Sequence, residues 1–184
     1  KVPVEQLQDL SIVDTPGTNA VIRQHEQITA HFVPRADLVL FITSVDRPFT
    51  ESERSFLKLI DDWGKKVVFV INKIDNLQSD EELEQIIEFV KDNAQKQLQV
   101  TPEIFPISAR LASKAKQDNP DLWQSSRFEA LEKYLEDTLD EKGRLKYKFL
   151  NPIGVGKHLV NRYLGVLDER NQLLQADLTA IQDI

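Results

Sequence analysis

Four short apolar runs punctuate the first two-thirds of the chain: Leu10-Ser11-Ile12-Val13, Ala36 to Thr43, Val67-Val68-Phe69-Val70-Ile71 and Ile104 to Ile107. Each has strand length. The third does not alternate with polar residues, as expected of a strand buried on both faces of a parallel sheet. Between the runs the apolar period changes to that of a helix. Phe56, Leu57 and Ile60 follow a capping box at Thr50-Glu51-Ser52-Glu53, and the helix should reach about Asp62 before Gly64 ends it. Leu83, Ile86, Ile87 and Val90 follow Ser79-Asp80-Glu81-Glu82, with acidic residues in the first turn where the helix dipole favours them. Phe128, Leu131, Leu135 and Leu139 follow Ser126-Arg127-Phe128-Glu129 in the same way. Val21, Ile22, Ile28 and Phe32 suit a further helical segment that Pro34 stops. Leu111 to Gln124 reads as polar loop with a turn at Asn119-Pro120. Strands separated by helices predict an α/β fold, a mostly parallel sheet with helices on both faces.

Beyond Pro152 one helical period takes over. Val160, Leu167, Leu174 and Ile181 recur every seventh residue, with Leu164, Asn171 and Leu178 as a companion series. Such a stripe is a bundle or coiled-coil seam and needs a partner helix; the alternative is a terminal helix folded back on the sheet. The expected division is an α/β unit over 1–150 and a long C-terminal helix, a neck or bundle segment, over 151–184.

Composition narrows the class without changing that picture. With 41% hydrophobic and 29% charged residues in 184, the chain can bury one sizeable core. A net charge of -7 argues against a nucleic-acid partner, which calls for a basic surface. The absence of cysteine excludes disulfides and thiolate metal sites. His25 and His31 read as surface residues, not ligands. Lys142, Arg144, Lys146 and Lys148 read as a solvated helix face balanced by Asp137, Asp140 and Glu141, with contact to anionic lipid as the alternative. A chain that opens on Lys1 and has no methionine is expected to be a piece of a longer protein.

Candidate chemistry sits where the apolar runs end. Asn72-Lys73-Ile74-Asp75 follows the most buried run. Guanine presents two adjacent donors, N1-H and the 2-amino group, and one carboxylate at Asp75 accepts both. Adenine puts an acceptor at N1, so the same carboxylate would reject it. The Lys73 stem can lie along the base, and the Asn72 amide can bond N7 and tie neighbouring loops together. Asp14-Thr15-Pro16-Gly17 follows the first run, a pattern that is also good turn chemistry. There Asp14 would hold Mg2+ through a water and the Gly17 amide would face the terminal phosphate. Ser108-Ala109-Arg110 follows the fourth run; the Ala109 amide would point at guanine O6 with Ser108 bracing the loop. Three motifs in this order, each after an apolar strand, are hard to obtain by accident and lie where open α/β sheets bind ligands.

These motifs resemble those of the GTPase superfamily, and Asp46-Arg47-Pro48-Phe49-Thr50-Glu51-Ser52-Glu53 with Trp63-Gly64-Lys65-Lys66 is similar to the dynamin-like GTPases of bacteria and plastids. The resemblance implies a P-loop-type G domain, GTP/GDP and Mg2+ as ligands, GTP hydrolysis, and self-association through the G domain. It further implies peripheral association with a lipid membrane, in cytoplasm or plastid stroma, in the service of membrane remodelling. A helical partner is implied for 153–182. Two departures stand out. Thr18 takes the place of a water-positioning glutamine, and no G-x-x-x-x-G-K-[ST] occurs in these residues. Gly154-Val155-Gly156-Lys157 does not replace it, because Asn151 and His158 stand where a glycine and a hydroxyl residue are required. The G domain is therefore expected to be partial, with its phosphate loop and first switch upstream, its catalytic groups unknown, and little hydrolysis by this chain alone. A ribosome- or RNA-associated GTPase, or a non-catalytic pseudo-GTPase interaction domain, are the alternatives.

Overall fold

The computed structural model describes residues 11–15, 31–98, 101–139 and 141–182, without the side chains of 59, 141–148, 151 and 180–182. Three parallel strands form one sheet in sequence order: β1 (Val39–Ser44), β2 (Val67–Asn72) and β3 (Glu103–Pro106). Helices α1 (Glu51–Asp62) and α2 (Asp80–Leu98) make the two crossovers. After β3 come α3 (Ala109–Gln117), the single turn and a half of α4 (Leu122–Ser126), α5 (Phe128–Leu139) and the long α6 (Glu141–Gln182).

Helix α1 starts where the sequence says it should. The Thr50 side chain accepts from the Glu53 amide, and Glu53 Oε2 accepts from the Thr50 amide at 2.7 Å, closing the capping box. Its Leu57 and Ile60 are fully buried in a cluster with Phe69 and Ile71 of β2 and Leu83, Val90, Ala94 and Leu98 of α2. That is one layer. On the other face of β2, Val70 packs with Ile107 and with Leu131, Phe128 and Leu135 of α5. Helices thus cover both faces, as expected.

Three expectations are corrected. Ser11, Ile12 and Val13 form no strand, and Ile12 is 77% exposed. A strand exists only when its backbone has a ladder partner, and β1 pairs with β2 alone among the described strands. The run from Ala36 to Thr43 is shorter and less buried than expected, because β1 is an edge strand of the described sheet. Leu40 and Ile42 lie in register with Val68 and Val70, yet α5 packs over Val70 and leaves Ile42 61% exposed. The loop expected over Leu111 to Gln124 is mostly helical. Its core-facing residues are Ala112 and Ala115, too small to register as an apolar stripe, and Ser108 supplies the N-cap by accepting from the Leu111 amide at 3.1 Å. The segment holding Val21, Ile22, Ile28 and His25 lies outside the described residues.

The long helix α6 begins at Glu141, before Pro152, and carries that proline inside it. It meets the end of α1 at one narrow crossing. A Cβ on Gly154 would stand 3.0 Å from the Gly64 carbonyl oxygen and 3.1 Å from that of Trp63. Beside it, the His158 and Trp63 rings lie 4.2 Å apart between centroids. Further along, the seam positions Val160, Leu164, Leu167, Leu174 and Leu178 are all exposed, so this part of the helix does not fold back on the sheet.

Candidate functional site

Parallel pairing places the ends of all three strands at one edge of the sheet, where open α/β sheets bind ligands. There the structure gathers Asn72, Lys73, Asp75, Ser108, Ala109 and Arg110. Asn72 is the last residue of β2, and Lys73 follows in the left-handed region at φ 69°. A short 3-10 turn over Ile74–Asn76 then carries Asp75 back toward the loop after β3. The two loops are bonded to each other. Asn72 Oδ1 accepts from the Ala109 amide at 3.1 Å and from the Lys73 amide at 2.7 Å. The Ile74 amide donates to the Ile107 carbonyl at 3.2 Å. Ser108, fully buried, donates its hydroxyl to Asp75 Oδ1 at 2.5 Å, and the Arg110 guanidinium pairs with Asp75 Oδ2.

Burial by itself pushes the Asp75 carboxyl up. The hydrogen bonds from Ser108 and from its own backbone, with the Arg110 charge, outweigh that and hold it below the usual carboxylate range. The group is thus anionic at neutral pH, as acceptance of two base donors requires. Beside it a cleft of about 300 Å³ is lined by Ile74, Asp75, Gln78, Asp80, Ser125 and Arg127, with an ion pair between Arg127 and Asp80.

Asp14 and Thr15 are exposed and stand outside the sheet. Gly17 lies outside the described residues.

Two site residues escaped the motif reading. Asp46 accepts from Lys73 Nζ at 2.9 Å, from Ser44 Oγ at 3.0 Å and from Asn76 Nδ2 at 3.3 Å, which together hold its carboxyl below the usual range, the Lys73 bond most of all. The signal was available: Asp46 stands just past β1, the strand paired to the one that ends in Asn72. Close by, Phe49 adopts φ 60°, rare for a bulky residue, and its buried ring stacks on Phe69 at 5.8 Å, fixing the loop. Ser126 is the other. Its carbonyl accepts from the Ser108 amide at 2.9 Å, and its hydroxyl donates to the Trp123 carbonyl at 2.6 Å. Its Oγ also accepts from the Phe128 amide at 3.2 Å, so the expected cap closes on Phe128, not Glu129.

The dynamin family profile matches residues 1–74. A probable transmembrane GTPase, FZO-like and chloroplastic, from Arabidopsis thaliana is 36% identical over 203 residues, an alignment that takes in 100% of this chain. The chain is thus similar to dynamin-like GTPases. A second relative, an uncharacterised protein in the xynA 3' region of Caldicellulosiruptor sp., is 39% identical over 145 residues and 76% of this chain. The chain spans 22% and 35% of the lengths of these two relatives. Among solved structures, an oligomerised bacterial dynamin pair, described as a mechanism for long-range sensing and tethering of membranes, shares the fold. It aligns with a TM-score of 0.59 and 23% identity over 90% of this chain and 30% of its own.

Proposed function

We propose that this chain supplies the base-reading half of the GTP site in a dynamin-like GTPase whose phosphate-side groups come largely from other parts of a longer polypeptide. One observation carries the reading: Asp75, anionic and braced by buried Ser108, stands at the carboxyl edge of parallel strands beside Asn72 and Ala109. Its carboxylate accepts N1-H and the 2-amino group of guanine. Asn72 offers its amide to N7, and the Lys73 stem, steadied by Asp46, lies along the base. The Ala109 amide, bonded to Asn72 in this structure, turns to guanine O6 when the base enters.

On the phosphate side, Asp14 and Thr15 would hold Mg2+ through a water, and Gly17, outside the described residues, would serve the terminal phosphate. Asp14 suits a hydrated ion because it is an exposed carboxylate, and Mg2+ in nucleotide sites takes few protein ligands. Among the described residues no three acidic, imidazole or thiol groups gather into a closed metal cage. Mg2+ would supply charge neutralisation as water attacks the γ-phosphate in line.

The longer protein works at a membrane, in cytoplasm or plastid stroma, and self-associates through its G domain. Residues 1–150 form part of that domain, and 153–182 pair with another helix of the neck. Support comes from the relatives, a probable transmembrane GTPase and a membrane-tethering dynamin pair, and from the exposed seam of α6. No helix among the described residues is long and apolar enough to cross a membrane.

The test is nucleotide titration of the full-length protein. GDP and GTP should bind and ATP should not. Asp75→Asn should move the preference to xanthosine nucleotides, whose C2 carbonyl accepts from the new amide. Equal affinity for ATP and GTP, or unchanged preference in the variant, removes the base-reading assignment. Co-sedimentation with liposomes and not with ribosomal subunits checks the membrane reading.

A further inference from the structure

The base-reading edge is bonded to itself. Both Asp75 oxygens have partners within the chain, Ser108 on Oδ1 and Arg110 on Oδ2, while the neighbouring Ala109 amide is taken by Asn72. The two partners of Asp75 differ in how readily they leave. Ser108 is fully buried and also caps α3, so it is locked in place. Arg110 has 64% of its side chain exposed, on a flexible stem, over a carboxylate only 7% exposed. An ionised carboxylate offers about four acceptor sites, and Ser108 uses one of them. The Arg110 guanidinium is a planar fork of N-H donors on one carbon. The N1-C2-N2 edge of guanine is the same chemical unit.

We propose that Arg110 is an internal stand-in for guanine: it pairs with the outward side of Asp75 and is exchanged for the N1-H and 2-amino donors when the base binds. The inference rests on the guanine reading of Asp75. Arg110 acts through Asp75 as a specificity-tuning residue. It keeps a shielded carboxylate paired when no base is present, and every binding event must break that pair. Guanine affinity is therefore set below what the site alone would give. Ser108 stays on Oδ1 throughout, because the exchange needs only the outward acceptor sites.

The experiment compares GDP affinity in the full-length protein with that of Arg110→Ala and Arg110→Lys. Removing the competitor should tighten GDP about two- to fivefold, the range of one partly exposed ion pair. The lysine variant, still able to pair, should stay near the parent. The alanine variant should melt earlier than the parent without nucleotide and together with it when saturated with GDP. An affinity that is unchanged or weaker in Arg110→Ala overturns the proposal. So does a lysine variant that tightens as much as alanine, or a melting loss equal in free and saturated forms, which marks a merely structural role. Asp75→Asn separates the two levels of inference. If it fails to move the preference from GDP to xanthosine diphosphate, the base reading itself has failed. If it does so while Arg110→Ala does not tighten GDP, only the stand-in has. In the Asp75→Asn background, Arg110→Ala should leave xanthosine diphosphate affinity unchanged.

Discussion

At Asp46 one exposed carboxylate collects donors from Ser44, Lys73 and Asn76, and so joins the loop after β1 to the loop after β2. Asp46→Ala should loosen Lys73 and raise the Kd for GDP several-fold while the circular dichroism spectrum stays the same. A weakened spectrum would mean that the residue serves the fold instead. The Asp75 carboxyl behaves differently because it is shielded. Its pKa in the folded chain lies below the unfolded value, so its contribution to stability is complete above the unfolded pKa and is lost as pH falls through the folded one. Thermal melts taken downward from about pH 5 should therefore show a loss of stability that Asp75→Asn lacks. The letters N-K-x-D and S-A-R were readable because each is a short linear pattern that directly follows an apolar strand. The Arg110 pairing was not, since it depends on where two separate strands end.

Among elements, α1 shows how closely local chemistry can dictate structure. Its capping box satisfies otherwise unpaired amides at the first turn, and the helix begins at Glu51 for that reason. Thr50→Ala should cost about 1 kcal/mol and lower Tm by roughly 3 °C. By contrast α3 hides its register behind alanines, and β1 hides its edge position behind an apolar run. Both departures have one cause. Burial depends on what covers a residue, and Ala112 is buried while Ile42 is not. The glycines of α6 divide on the same principle. A Cβ at Gly165 would meet nothing, whereas at Gly154 it would press on two backbone carbonyl oxygens, which would have to shift by a few tenths of an ångström. Gly165→Ala should stabilise by about 1 kcal/mol. Gly154→Ala should instead destabilise by about 1–2 kcal/mol and alter Trp63 fluorescence as the His158 ring withdraws.

For the whole molecule, the decisive contrast is between a core that closes on itself and a helix that does not. The helix α6 has 42 residues, so it extends about 63 Å, and the seam from Val160 to Leu178 stays exposed. If that seam docks on another helix, Leu167→Glu in the full-length protein should abolish the pairing, read by sedimentation or crosslinking, and leave GDP binding intact. The sequence by itself determined the class of fold, the capping box at Thr50, the strand that carries Asn72, and the side chains offered at its end. These follow from periodicity and from short motifs, both of which are local. Tertiary structure alone decided that residues 11–13 form no strand, that β1 lies at an edge of the described sheet, and that Asp46 and Arg110 reach the loops carrying Lys73 and Asp75. Each of these depends on which backbone lies alongside, and a parallel sheet brings together residues that no local pattern joins.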